Sequence, residues 1–588
     1  MYPILTASEE SRQTIDTFAG YNHNLRIGEN EFYDMLNLSS DVAPVFSPRR
    51  ARGLYRGSVN VQGLIAKDSL CYVDGSCFVM NGYPVDMGLS TREDSCPKQL
   101  VSMGAYVIIL PDKKYINTAD ITDYGNIEAS FTSVSSVTFS PSKEDGTTFD
   151  PDYLQPEEPS EPANMALWMD TSVTPHSLKQ WSQSAGMWTS VATTYVNIRC
   201  AGIGKAFSQY DGVQISIPDG ITDDTAGQIA DLNGAAVIYA SDDDSITVVG
   251  ILDRKTTTSD VSVTVSRTMP MMDFVIENDN RLWGCRYGLN SDGQVVNELY
   301  ACKLGDFKNW NCYMGISTDS YAVSLGSDGQ FTGAITHSGY PIFFKENCMH
   351  KVYGQIPANF QVQTTACRGV QKGCGRSLAI VNEILYYKSR HAICAYDGSL
   401  PTEISGALGD IAYKNAVAAA HGNKYYVSME EALGGERTML VYDTAKGLWH
   451  RESGVDAVQL CSCREELYCA VGDGKIITML GSGDEYESGP MWMAETGIIN
   501  ASSPERKYLK RISIRLVLEP GSTLNVLVQY DSCGAWESIG SMSGSDLRSF
   551  TFPVRPRRCD HLRLRLEGKG KAMIFAITRS ICGGSDKP

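Results

Sequence analysis

Long apolar runs are the first thing this 588-residue chain lacks: no stretch approaches the roughly 18 consecutive apolar residues of a bilayer-spanning helix. A membrane-embedded chain is therefore not expected. The start, Met1-Tyr2-Pro3-Ile4-Leu5-Thr6, has no basic segment and no apolar stretch, so no secretory signal is expected either. Histidine is scarce, and its eight occurrences (His23, His176, His337, His350, His391, His421, His450 and His561) include no pair spaced four apart. That spacing, with H-E-x-x-H, would mark a zinc hydrolase. Neither G-x-S-x-G nor a phosphate-binding glycine loop occurs, since Gly202-Ile203-Gly204 has no third glycine and no Lys-Ser/Thr pair. Positive charge is also short. With 51 basic against 68 acidic side chains the net charge is −17, which argues against wrapping nucleic acid by neutralising phosphates.

Seventeen cysteines are present, an odd number without C-x-x-C pairs. Cys71, Cys285, Cys302, Cys394 and Cys469 sit in strand-like runs, where a free thiol acts as a small buried hydrophobe, so a reducing birthplace is expected. Cys461, Cys463 and Cys469 lie close together but lack zinc-ligand spacing.

Strand grammar fills most of the chain. Segments 383–401 and 423–452 read as versions of one unit, each a strand, a turn and a second strand, with Tyr386-Tyr387 and Tyr396-Asp397 in the first and Tyr425-Tyr426 and Tyr442-Asp443 in the second. Alternation of aromatic or aliphatic with polar residues suits a half-buried strand. Asp397-Gly398 and 443–447 are turn chemistry. The pattern recurs at 69–75, 99–115, 280–301, 341–354 and 466–477, a spacing of roughly 40–50 residues that matches a propeller blade. An ordinary large β-sandwich is the competing architecture.

The expected fold is therefore all-β: a β-propeller body with an inserted β-domain and a C-terminal β-sandwich. The expected divisions are an N-terminal arm at 1–53, a first part of the propeller at 54–130, an inserted β-domain with a Pro/acidic linker at 131–265, the rest of the propeller at 266–495, and a basic sandwich at 496–588. Pro151, Pro156, Pro159 and Pro162, interleaved with Asp152, Glu157, Glu158 and Glu161, mark the linker. Strict alternation in His561-Leu562-Arg563-Leu564-Arg565-Leu566 marks antiparallel strands with one wet face. Residues 501–588 carry 15 Lys/Arg against 8 Asp/Glu, which leaves −24 on the remainder. That excess reads either as a solvated strand face or as a docking surface for an acidic partner or neighbouring subunit.

No catalytic, cofactor-binding or metal-binding residue is assigned from the sequence, and a non-enzymatic protein without cofactors is expected. Asp242-Asp243-Asp244 could offer oxygens to Ca²⁺ but sits where a hairpin turn is the plainer reading. Trp168, Trp181 and Trp188 could stack on sugars or form the core of the inserted domain.

Three stretches carry a resemblance: 18–38 (Phe18-Ala19-Gly20-Tyr21-Asn22-His23-Asn24 through Leu38) followed by Ser47-Pro48-Arg49; Lys303-Leu304-Gly305-Asp306-Phe307 with Phe343-Phe344-Lys345-Glu346-Asn347; and Pro553 to Asp560 with Gly568-Lys569-Gly570. In these the chain resembles the tail nozzle, or packaged-DNA stabilisation, proteins of tailed bacteriophages, of the kind carried by prophages of gut Firmicutes. The resemblance implies a virion protein of the tail, assembled in the host cytoplasm as a homo-oligomer, a hexamer in known nozzles. Its implied partners are the portal and adaptor proteins of the head-to-tail connector and other tail proteins or fibres. It further implies retention of packaged DNA and passage of double-stranded DNA at ejection without specific binding. The alternatives are a tail-tip propeller that binds a receptor or glycan, and a propeller glycan hydrolase.

Overall fold

The computed structural model describes residues 10–57, 59–91, 98–259, 261–290, 293–499 and 505–583; Met1–Thr6 and Cys96 lie outside them. Nearly everything regular is strand. One five-residue α-helix, Ala226–Ala230, and four short 3-10 turns are the helical exceptions among the described residues, and no helix is long and apolar enough to cross a membrane.

The body is a β-propeller of seven blades. Six are antiparallel four-stranded sheets at 61–86, 99–126, 274–324, 333–366, 379–403 and 413–452. The seventh takes three strands from 457–478, and its next strand is Gly53–Arg56, paired antiparallel with Lys475–Thr478. A strand from before the first blade thus completes the last one, and the two ends of the ring are held by backbone hydrogen bonds.

The apolar clusters of the body establish ring closure, because each of these bridges adjacent blades. Cys71, Val73 and Phe78 of the first blade pack with Val107, Ile109 and Ile116 of the second. Val101 and Ile108 of the second meet Val275 and Leu282 of the third, and Trp283 and Leu299 of the third meet Phe343 and Val352 of the fourth. The largest cluster joins the fourth, fifth and sixth blades through Ile342, Tyr387 and Tyr425. Tyr426 and Val441 of the sixth meet Leu467 and Ile477 of the seventh, which returns to Leu64 and Tyr72 of the first through Ala470 and Ile476.

A blade is therefore covered on both faces, which corrects the half-buried reading of the tyrosine pairs. Tyr386, Tyr387, Tyr425 and Tyr426 are all buried; Tyr425 faces the fifth blade and Tyr426 the seventh. Phe343-Phe344-Lys345 and Tyr386-Tyr387-Lys388 occupy matching places in successive blades, and both lysines are buried. Lys345 Nζ donates to Asn297 Oδ1 and the Ser327 carbonyl, both at 2.9 Å, and Lys388 Nζ to Gln371 Oε1 at 3.0 Å and the Ser389 carbonyl. Burial pushes both ammonium pKa values down. The two lysines pin the connections between blades with neutral oxygens rather than carboxylates.

Two buried histidines predict that the body loses stability in acid. Burial, then the positive charge of Lys345, pushes His350 down from 6.5 to about 4; burial, then Lys424, pushes His450 to about 3. Below its ordinary pKa an unfolded histidine binds a proton that the folded one refuses, so stability is full above about pH 6.5 and falls as pH drops towards 4 and then 3. Each contributes a slope approaching about 1.4 kcal/mol per pH unit. Denaturation midpoints measured from pH 7 to pH 4 are expected to fall, and to fall less steeply in His450→Leu.

Between the second and third blades the chain leaves and returns through one antiparallel pair, Ala129–Thr132 with Thr264–Arg267. These belong to an eight-stranded sheet with its own core around Phe139, Val196, Ile198 and Val248. Because entry and exit are adjacent, the insertion leaves the ring unbroken. It is fastened to the third blade by Asp211, which pairs with buried Arg267 and accepts from Asn309 Nδ2 at 2.8 Å, while Asn309 Oδ1 accepts from the Gly212 amide at 2.9 Å. A second, four-stranded sheet, 153–190, projects from it.

The C-terminal β-sandwich is built on one curled eight-stranded sheet. Lys507–Tyr530 pairs first with Ala572–Gly583 and then with Leu562–Lys569, and its register shifts around Leu518 and Pro520-Gly521, where bulges bend the strand and fold the sheet over its own apolar face. Leu516, Val526, Leu564 and Ile574 fill the inside. The segment read as a polar arm supplies Glu10–Ile15 to one edge of this sheet and Glu31–Leu36 alongside Met491–Thr496. It also covers the sixth blade: Gly20 lies against Leu448 and Trp449, where an added Cβ would stand 2.5 Å from the Trp449 carbonyl oxygen.

Candidate functional site

The first strand of each blade lies innermost, next to the first strand of its neighbours except between the fourth and fifth blades, where the short turn Gly375–Ser377 contacts the fourth blade's first strand. These are Val61–Ala66, Gln99–Met103, Phe274–Asn278, Gly333–His337, Ala379–Val381, Tyr413–His421 and Ala457–Cys463. They bear one carboxylate, Glu277, whose Oε1 accepts from the Asn280 amide at 2.9 Å. Hydrolysis of a glycosidic bond canonically uses two carboxyl groups across the bond. The axial strands do not bring such a pair together.

Instead, amide side chains link adjacent blades along the axis. Gln99 donates Nε2 to the Val275 carbonyl at 2.5 Å and accepts from the Val275 amide at 3.1 Å. Gln459 does the same to Leu64, both bonds at 2.8 Å, across the seam where seventh blade meets first. Each glutamine stands in for a missing strand neighbour. Gln459→Met is expected to leave the Leu64 backbone groups unpaired and to cost about 1–3 kcal/mol, read as a lower thermal midpoint.

A cavity of about 260 Å³ lies between the fifth and sixth blades, lined by Arg390, His391, Glu403, Ser405, Asp410 and Tyr413 among others. Glu403 is paired with Arg368 at 2.9 Å. The lining comes almost wholly from one stretch, 388–413, with Met429 of the sixth blade added, so these residues are near in sequence; no recognised catalytic spacing marks them.

The candidates named from sequence are scattered. Asp242-Asp243-Asp244 forms the turn between Gly234–Asp242 and Ser245–Val249, and its side chains serve that turn: Asp242 Oδ1 accepts from the Asp244 amide at 2.9 Å, and Asp244 Oδ1 from the Gly202 amide at 2.7 Å. Among the described residues no group of three or more His, Cys, Asp or Glu gathers as a metal site. Burial pushes the Cys461 and Cys469 thiols up to about 12, which keeps them protonated and unreactive. The histidines find separate partners, His176 with Asp253 at 2.9 Å, His337 with the Glu383 carbonyl at 2.7 Å and His421 with Ser462 Oγ at 2.9 Å. Trp168, Trp181 and Trp188 do converge, on one face of the projecting sheet, with Trp188 5.4 Å from Trp168 and 5.5 Å from Trp181 between ring centres.

The arrangement defines a class: a seven-bladed β-propeller closed by an N-terminal strand, with an inserted β-domain and a C-terminal sandwich. No family model matches the chain, and no curated protein matches it. Solved structures similar to it include a family 43 arabinoxylan arabinofuranohydrolase from Bacillus subtilis (9% identity, 53% of this chain and 95% of that one, TM-score 0.19). Others are an exo-β-1,3-galactanase from Phanerochaete chrysosporium (7%, 52% and 94%, TM-score 0.20) and a mutant Trypanosoma rangeli sialidase (9%, 91% and 95%, TM-score 0.17). The expectation of a non-enzymatic protein is corrected by these neighbours, which are glycoside hydrolases and a sialidase, and it is not kept. At such identities and TM-scores the likeness carries no argument about which activity this chain has.

Proposed function

We propose that this chain is a structural subunit of a bacteriophage tail, of the nozzle type, forming a ring below the portal and adaptor that retains packaged DNA and conducts it at ejection. The observation that carries this reading is where the resembling stretches lie. Residues 18–38 and 47–49 and the stretch around Gly568 and Gly570 come from opposite ends of the chain, yet both build the junction between propeller and sandwich. Asn37 Nδ2 donates to the Met491 carbonyl at 2.7 Å, and the neighbouring Trp492 donates to the Gly570 carbonyl at 3.1 Å. The Phe46 amide and carbonyl pair with Ile574. Two of the three resembling stretches thus meet at one structural joint, while the central one, 303–307 with 343–347, belongs to the third and fourth blades. An acidic body also suits a conduit, since acidic side chains outnumber basic ones and repel a polyanion. Co-expression with portal and adaptor proteins tests the reading. Co-purification in a ring of fixed stoichiometry is expected, and a chain that joins neither protein sinks it.

The cavity between the fifth and sixth blades favours a second reading, a propeller acting on glycan, because Glu403 and Asp410 share one cleft with His391 and Arg390. Release of reducing sugar from host polysaccharide, abolished by Glu403→Gln or Asp410→Asn, would establish it; no turnover on any host glycan counts against it.

A further inference from the structure

Charge and aromatic surface are segregated along this chain in a way that its own fold uses only in part, through Lys179, which lies 4.6 Å over the Trp168 ring and pairs with Asp170 at 2.8 Å. From 144 to 178 there are eight carboxylates and no lysine or arginine. Seven of the eight (Glu144, Asp145, Asp150, Asp152, Glu157, Glu158 and Glu161) are exposed. This acidic run enters the projecting sheet of Tyr153–Gln155, Leu167–Asp170, Ser177–Ser182 and Met187–Ser190. By register Tyr153, Trp168, Trp181 and Trp188 share one face of it. These four rings lie outside the core of the neighbouring eight-stranded sheet. Trp181 and Trp188 are half-buried, and the buried indole N–H of Trp188 has no acceptor. Exposed Leu154, Met165 and Met187 flank them.

The opposite chemistry stands on the sandwich. Across Glu10–Ile15, Ala572–Gly583, Lys507–Tyr530 and Glu537–Pro553 the register lines up Thr14, Thr578, Ser513 and Thr551 in one row. Arg12 and Arg511 both register with Ser580, and Arg515 stands opposite Ser549. Arg12, Arg511 and Arg515 are exposed, and exposed Arg555 and Lys569 extend the positive surface. The ion pairs that Arg511, Arg557, Arg563, Arg565, Lys571 and Arg579 make are with Glu10, Glu537, Glu495, Glu567, Glu519 and Glu29, none of which belongs to 144–178.

We propose that the acidic, aromatic projecting sheet of one copy docks on the arginine- and hydroxyl-bearing outer face of the sandwich of a second copy. Opposite charge selects the pairing, and arginine stacks on the half-exposed rings of Trp181 and Trp188. The two surfaces differ, so the contact is heterologous, the kind that closes into a ring or extends as a filament. The insertion thereby acts as the connector between subunits. This rests on the homo-oligomeric part of the tail reading and not on its DNA-conducting part.

The full-length chain, examined by sedimentation velocity, tests it. Self-association is expected at about 0.05 M salt and should weaken by more than about tenfold at about 1 M salt, where screening shortens to about 3 Å. Triple reversals, Glu157→Lys/Glu158→Lys/Glu161→Lys on one side and Arg12→Glu/Arg511→Glu/Arg515→Glu on the other, should each abolish it. Mixing the two variants should restore it, since each then offers the complement of the other, an outcome that misfolded variants cannot give. Assembly unaffected by either reversal overturns the interface while leaving the tail reading intact; a chain monomeric under every condition overturns both. Retention of double-stranded DNA that depends on Arg12, Arg511 and Arg515, without self-association, would assign the basic face to nucleic acid and also overturn it.

Discussion

Glu452→Gln lowers the stability of the propeller by about 3–5 kcal/mol, the cost of leaving buried charge without its partner. Arg49 and Arg52, both buried, converge on Glu452, with Arg52 Nη2 at 3.2 Å and Arg49 Nε at 3.6 Å from its Oε2. Arg49 also pairs with Glu487, and Glu487 Oε1 accepts from the Arg52 amide at 2.8 Å. This network stands at the start of Gly53–Arg56, the strand that completes the seventh blade. Neutralising Glu452 leaves two buried guanidinium groups with one carboxylate between them where the ring closes. Calorimetry is expected to show the propeller transition moved down, while Asp473→Asn, which breaks an exposed pair with Lys475, leaves it in place. An unchanged transition in Glu452→Gln would show that backbone pairing alone closes the ring.

Trp492→Ala is expected to cost about 3–5 kcal/mol, in the sandwich rather than the propeller. Trp492 is fully buried, its ring lies on Gly568, and its indole N–H is satisfied by the Gly570 carbonyl. A Cβ on Gly568 would stand 2.1 Å from the ring, so Gly568→Ala should also destabilise, by about 1–3 kcal/mol from overpacking. In the double variant Trp492→Ala/Gly568→Ala the clash with the ring is gone while the Thr523 carbonyl oxygen still stands 2.6 Å from the added Cβ, so the two effects should add only in part. Fully additive losses would mean that the Thr523 carbonyl, not the Trp492 ring, is what requires a glycine there. The pairing gives Gly568-Lys569-Gly570, a family-like motif in sequence, a packing role.

Strand grammar was legible because alternation and turn residues act over a few positions. Tyr386-Tyr387 and Tyr425-Tyr426 announced blades, and the prolines and acids of 151–162 announced the linker of an inserted domain. What misled was burial: alternation suggested one wet face, but a blade has neighbours on both sides, and all four tyrosines are inside. Nothing local distinguishes Gln99 or Gln459 from any surface glutamine. Their role depends on Val275 and Leu64, which lie 176 and 395 residues away. The cavity containing Glu403 and Asp410 was missed for a different reason: its lining lies close in sequence, at 388–413, but matches no catalytic motif.

By itself the sequence determined that the chain is all-β, that its body repeats, that an insertion interrupts it, and that positive charge gathers near its end. These follow from residue types and short periods, which local sterics and burial translate directly into strands and turns. Tertiary structure alone decided the seven blades, the closing of the ring by Gly53–Arg56 through Arg49, Arg52 and Glu452, and the joining of Glu10–Ile15 and Glu31–Leu36 to the sandwich. Those contacts link residues hundreds of positions apart, and only packing selects among the partners that a strand edge or a buried charge would accept.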